Sequence, residues 1–143
     1  MRILAVDPGD RRIGLAISDP TESVARALIV IEHTSRALDA AVIADLARQH
    51  EAGRILVGVA GLSADPGPQA RKCARLADAI RQQTDLPVEL WDESFTTLDA
   101  AAARRSAGGS GRRARSDLDA AAAAALLQSY LDVNASAIFP TAP

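Results

Sequence analysis

The chain has 143 residues, which suits one domain on one core and leaves no room for two independently folding lobes. Hydrophobic residues at 48% and charged residues at 24% exclude a wholly disordered chain; the lone Cys73 excludes an internal disulfide, and two histidines, His33 and His50, exclude a Cys/His zinc cluster. The net charge is −2, but five of the sixteen basic side chains lie in residues 104–115 with none of the eighteen acids, so the remainder carries eleven against eighteen, a net of −7.

Residues 2–7 are an apolar run closed by Asp7, and both faces are apolar, so they read as a central strand. Pro8-Gly9-Asp10 is a turn, and residues 13–18 form a second strand close enough to pair with the first. Residues 26–32 make a third, which completes an antiparallel meander. Between Ser35 and Glu51, Leu38, Val42 and Leu46 recur every four residues and predict a helix stopped by Gly53. Residues 54–59 are a further buried strand. A helix over 68–83 follows, with Cys73, Leu76, Ala77 and Ile80 inward, and then a strand over 87–91. A helix opens near Thr96, whose Thr96-x-x-Asp99 pattern reads as its cap, and breaks at Gly108-Gly109-Ser110-Gly111. The last helix runs from Ser116 to about Val133 on a stripe of Leu118, Ala122, Leu126, Tyr130 and Val133. Its alanines at 120–125 allow close approach to a sheet. The order predicts an α/β fold: a mixed five-stranded sheet, made of a three-strand meander plus two further strands, flanked by helices. Residues 1–134 are read as the single domain and 135–143 as a flexible tail. No apolar run approaches a membrane span, and the short N-terminal run is too polar for a signal peptide, so a cytoplasmic protein without membrane partners is expected.

Acids stand where elements begin or end: Asp7 after the first strand, Asp92 and Glu93 after the last, Asp117 and Asp119 at the start of the final helix. Converging carboxylates hold hard divalent cations, and two such cations activate a water and stabilise the leaving oxygen in phosphodiester cleavage. A basic element beside them, the arginine loop, would hold the nucleic-acid backbone. Each residue also has a plainer reading. Ser116-x-x-Asp119 resembles a capping box, Asp7 before Pro8-Gly9 is a turn residue, and Asp92-Glu93 is a solvated pair. The arginine loop is a solvated linker, His33 and His50 are surface residues, and Cys73 and Trp91 are core.

Asp7-Pro8-Gly9-Asp10-Arg11-Arg12-Ile13-Gly14-Leu15-Ala16 resembles the opening D-x-G-x-x-R-I-G-x-A of the YqgF/RuvX family, described as Holliday-junction resolvases or as nucleases maturing the 5′ end of pre-16S ribosomal RNA. Asp92-Glu93-Ser94-Phe95-Thr96-Thr97 is similar to its D-E-R-x-[ST]-T motif. The helix from Asp119 to Tyr130 is similar to its C-terminal D-x-x-A-A helix, and Gly58 to Arg71 to its glycine-rich segment. The likeness covers about residues 1–133. It implies a ribonuclease H-like fold, with Asp7, Glu93 and Asp119 as catalytic, metal-holding acids and Mg²⁺ or Mn²⁺ as cofactor. It also implies precursor ribosomal RNA or branched DNA as partner, held by Arg11, Arg12, Arg104, Arg105, Arg112, Arg113 and Arg115. The chain departs from the family at Ser94, where the family has arginine, at Arg112, Arg113 and Arg115, where it has lysines, and at Val59-Ala60-Gly61, where it has a Leu-Pro pair.

Two other readings stand beside the nuclease. A non-catalytic nucleic-acid-binding factor of the same fold is favoured by Ser94. A nucleotide-binding phosphotransferase lobe is suggested by Asp7-x-Gly9-x-x-x-x-Gly14, which also resembles the first phosphate loop of the actin, heat-shock ATPase and hexokinase group. Those proteins need two lobes, and this length holds one. Monomer and homodimer are both open, paired cuts in a junction favouring the dimer.

Overall fold

The computed structural model describes residues 1–59, 67–93 and 112–138. Within them run β1 (Arg2–Pro8), β2 (Arg12–Ser18), β3 (Ala25–Glu32), α1 (Arg36–Gln49), β4 (Ala52–Val59), α2 (Pro68–Arg81), β5 (Val88–Asp92) and α3 (Arg112–Ile138). The strands form one five-stranded sheet in the order β3-β2-β1-β4-β5. The β1–β2 and β2–β3 pairs are antiparallel and the β1–β4 and β4–β5 pairs parallel, so the expected mixed sheet is the one formed. The helix expected near Thr96 and the Gly108–Gly111 break lie outside the described residues. Among the described residues no helix is long and apolar enough to cross a membrane.

Both faces of β1 are buried because side chains alternate along a strand and each face meets a helical layer. Leu4 and Val6 join Ile43, Ile55, Val57, Leu76 and Ile80 under α1 and α2. Ile3 and Ala5 join Leu56, Ala123, Leu127 and Tyr130 under α3. A fully buried Leu or Ile stabilises by about 1.5–3 kcal/mol, and several lie on each face, so both helical layers are needed to hold the central strand.

Helix α1 is rotated from its predicted face. Ala40, Ile43, Ala44 and Ala47 point inward with Asp39, while Leu38 and Val42 are 59% and 43% exposed. The small alanines bring the helix close to the sheet. Asp39 fixes its rotation: the buried carboxylate accepts from the Thr34 amide (3.1 Å) and hydroxyl (3.2 Å) and pairs with Nδ1 of His33. Burying Leu38 instead would pull a carboxylate off its partners, which is costly. His33 is therefore part of a polar anchor and not a plain surface residue. The helix ends at Gln49, ahead of the predicted stop, with Glu51 carrying the left-handed backbone (φ 56°). Gly53 lies within β4.

Helix α3 begins at Arg112, ahead of the predicted Ser116, and continues past Val133 to Ile138. No glycine or proline interrupts 112–138, and arginine and alanine are good helix formers. Ser116 and Asp119 thus lie inside the helix, which overturns the capping reading of Asp119. Its buried face is Ala122, Ala123, Leu126, Leu127, Tyr130 and Leu131, whereas Val133 is 48% exposed. The stripe is wider than predicted on the side of Leu127 and Leu131, which moves its centre off Val133. Polar contacts fasten this helix to the far strands. Trp91 Nε1 donates to Ser129 Oγ (3.1 Å), and Tyr130 OH donates to Glu89 (2.6 Å) while accepting from Arg54 (2.6 Å). The Trp91 and Tyr130 rings meet edge to face at 5.0 Å.

At Gly14 the helix meets the sheet backbone to backbone. A Cβ there would fall inside the backbone carbonyl of Asp119, so only glycine admits α3 at this depth. Gly14→Ala should push α3 off β2 and destabilise the protein by about 1–3 kcal/mol, the usual cost of overpacking. The reading is a lower urea midpoint with an unchanged m-value; an unmoved midpoint would contradict the packing.

Candidate functional site

Parallel pairing of β1, β4 and β5 brings their carboxyl ends to one edge of the sheet, where open α/β sheets place their ligand crevices. Asp7 lies at this end of β1, opposite Gly14 of β2. Alternation sets it on the α3 face with Ile3 and Ala5. On its other flank, Gly58 follows Val57, the register partner of Val6. Asp7 therefore stands between two residues that have no side chains. The space over Gly14 is filled by the α3 backbone. A Cβ on Gly58 would lie 2.6 Å from Leu126 Cδ2 and 3.3 Å from Glu93 Oε1.

Strand parity also separates Asp92 from Glu93. Glu89 and Trp91 reach α3 from β5, so Glu93 continues that face and Asp92 does not. Glu93 stands two strands from Asp7, roughly 10 Å in backbone spacing. Its longer side chain, extending over Gly58, brings the carboxylate back toward the cleft.

Asp7, Glu93 and Asp119 line one cleft of about 300 Å³ with Pro8, Gly9, Arg12, Gln69 and Cys73. Two larger hollows, of about 430 and 420 Å³, lie at the amino ends of β1 and β4 and gather no comparable set of acids. Inside the cleft, Arg12 Nε donates to Asp119 Oδ2 at 2.6 Å, with the two side chains 28% and 34% exposed. Burial, followed by the negative fields of Glu93 and Asp7, pushes the Cys73 thiol up to about 11. Both acids thus act on the same atom.

The donor set suits a hard divalent cation, which prefers carboxylate oxygens. The guanidinium of Arg12 already stands as a cation against Asp119, so the cleft has room for positive charge there. Among the described residues, no three acidic, histidine or cysteine side chains are drawn tightly enough to ligate one ion. The cleft collects the carboxylates without closing them into a cage.

Of the predicted phosphate contacts, Arg12 lies in the cleft and Arg11 is exposed on the β1–β2 turn. Arg112, Arg113 and Arg115 belong to the first turn of α3 and not to a loop. Arg104 and Arg105 lie outside the described residues, as does Ser94. Sequence reasoning missed Gln69 and Cys73, which α2 brings to the cleft. The glycine-rich segment before α2 was the available signal. Lys72 Nζ, 3.6 Å from Asp10, ties α2 to the β1–β2 turn.

The family described as "RuvX: Holliday junction resolvase" matches residues 1–133. A protein of an Anaeromyxobacter species named "Putative pre-16S rRNA nuclease" is 40% identical over 133 residues, covering 92% of this chain and 97% of its own. A relative of the same name from Pelotomaculum thermopropionicum is 40% identical over 135 residues, covering 92% and 87%. Among solved structures, T. thermophilus RuvC in complex with a Holliday junction substrate superimposes with a TM-score of 0.61 at 16% identity, over 94% of this chain and 96% of that one. That likeness speaks for the fold, and the ribonuclease H-like architecture is the one observed.

With its titration near 11, Cys73 should alkylate with iodoacetamide at pH 8 about a hundredfold more slowly than an ordinary thiol, because thiolate is the reactive form. Glu93→Gln removes one of the negative fields, lowers the pKa and should speed the reaction. Equal rates in the two proteins would place Glu93 away from Cys73.

Proposed function

The chain belongs to the RuvX family, and from that premise we propose that it is a metal-dependent nuclease cleaving phosphodiester bonds in structured nucleic acid. The leading substrate is the 5′ end of precursor 16S ribosomal RNA, in keeping with the names of relatives at 40% identity. A Holliday junction is the competing substrate, in keeping with the family description. The observation that carries the reading is the meeting of Asp7, Glu93 and Asp119, from three separate elements, on one cleft.

These acids would hold Mg²⁺ or Mn²⁺, which when bound supplies an activated water and stabilises the departing oxygen. The residues of the chain divide the remaining work by their stiffness. Asp7 ends a strand buried on both faces and is fixed by it. Asp119 rides on a helix whose depth is set at Gly14. Glu93 has the longer side chain and stands just past the end of its strand, so it is the adjustable one of the three. Without cations the cleft repels a polyanion, and the rest of the chain adds to that repulsion. Arg11 on the turn, together with Arg112, Arg113 and Arg115 at the start of α3, would supply the phosphate attraction. Arginine can bind phosphate through two parallel hydrogen bonds where the lysine it replaces acts as a point charge.

Asp7→Asn keeps the shape and removes the charge. Changes to residues behind a metal ligand already cost about 10–100-fold, so this substitution should lower cleavage of a precursor 16S fragment more than about a hundredfold in Mg²⁺ or Mn²⁺. The urea midpoint should stay near that of the wild type. Undiminished cleavage by the variant would refute the site. A wild-type protein that cuts only a four-way junction would replace the substrate, and one that binds nucleic acid without turnover under either metal would make it a binding factor.

A further inference from the structure

Arg12 sits where the proposed chemistry calls for a metal. Its Nε is 2.6 Å from Asp119 Oδ2, both residues line the same cleft, and 107 positions separate them in sequence. The two partners differ in freedom. Asp119 is held by its own backbone, whose carbonyl fills the space over Gly14. Arg12 lies two residues before Gly14 on the same face of β2 and reaches Asp119 through a long, flexible side chain. If the contact opens, the arginine is the part that moves.

The strength of the contact suits exchange. A charge-assisted bond of this length is favourable, but at about one-third exposure it is screened by solvent and of modest worth. A deeply buried pair would be far costlier to break. Arg12 also has a second acid within side-chain range. Glu32 is its register partner across to β3, and directly opposite residues project to the same face. A guanidinium leaving Asp119 can therefore swing toward Glu32 or outward toward a phosphate.

We propose that Arg12 is an exchangeable counter-ion for Asp119: it neutralises the carboxylate in the free protein and is displaced when a divalent cation loads, which releases the guanidinium to the substrate phosphate. The proposal rests on the reading of Asp119 as a metal-holding acid. It makes Arg12 a positioning residue whose two partners are used in turn. Binding of nucleic acid and binding of the cation then favour each other, since a phosphate that takes Arg12 vacates Asp119, and linkage makes the effect reciprocal.

The test uses the full chain and reads the arginine itself. The side-chain Nε–H resonance of Arg12, assigned by its loss in Arg12→Gln, is followed by NMR during titration with Mg²⁺. It should begin as a hydrogen-bonded signal and shift to that of a solvated guanidinium at saturation. In parallel, Mn²⁺ binding measured by electron paramagnetic resonance should be about two- to fivefold tighter in Arg12→Gln, the equivalent of one part-exposed ion pair. An Nε–H signal that stays put while metal binds, or equal Mn²⁺ affinity in the two proteins, overturns the exchange and leaves the metal reading standing. Failure of both proteins to bind Mn²⁺ at millimolar concentration overturns the metal reading, and the exchange with it.

Discussion

The molecule turns on a contact of backbone against backbone, the carbonyl of Asp119 seated over Gly14. Glycine in a strand interior gives up side-chain packing, and it is kept where another backbone must come close. Here the close approach lowers the whole of α3 onto the sheet, so that Ala123 and Leu127 reach Ala5, Ala16 and Leu56. It also sets Asp119 beside the strand that carries Asp7, because Gly14 and Asp7 face each other in register. A single small residue thus serves the core and the cleft together. On the other flank Gly58 has the matching role, keeping clear the ground between Asp7 and Glu93.

The cleft concentrates an electrostatic cost that the rest of the fold is arranged to bear. Three carboxylates face one hollow in a chain that is already acidic, and like charges in a partly buried space repel. The high titration of Cys73 comes first from burial, and the fields of Glu93 and Asp7 add to it. Arg12 offsets part of the charge at Asp119, and the rigid parallel strands keep the acids from drifting apart. Sites that hold such unfavourable charge tend to be functional. Size points elsewhere, since the roomier hollows at the opposite end of the sheet lack converging acids. Chemistry therefore identifies the site better than volume does.

Strands β1, β2 and β4 were legible in the sequence because their apolar runs cover both faces and each is bounded by turn residues. Asp7 was legible for the same reason, as a charge closing a buried run. Helix α1 was not, because alanine carries little periodic signal: its inward face is mostly alanine, and the larger Leu38 and Val42 look outward. What fixes its rotation is Asp39, whose partners His33 and Thr34 precede the helix and follow no pattern that periodicity detects. The capping motif at Ser116 misled because short polar patterns recur inside helices, and the good helix formers before it were counted as loop. The motifs singled out Gly14 and Gly58, but the close approach each one admits was not visible before its tertiary neighbours were known. Arg12 was identified as a cation near the site, but its partner lies 107 residues away and nothing local could name it.

The early start of α3 changes what its arginines can do. On a loop, each would need ordering before it could hold a phosphate, at a cost of about 1–2 kcal/mol per residue in backbone entropy. On the helix that cost is already met by folding. Arg115 and Arg112 stand four and seven residues before Asp119, the spacings at which helix positions fall into one row. Seven residues of helix span about 10 Å. Under the proposed function, that row of helix positions ends at a cleft acid and lies at a distance from it set by helix geometry. Where these positions stand relative to Asp119 is then a matter of helical register, since one residue inserted or deleted between 115 and 119 turns everything before it by about 100° about the helix axis.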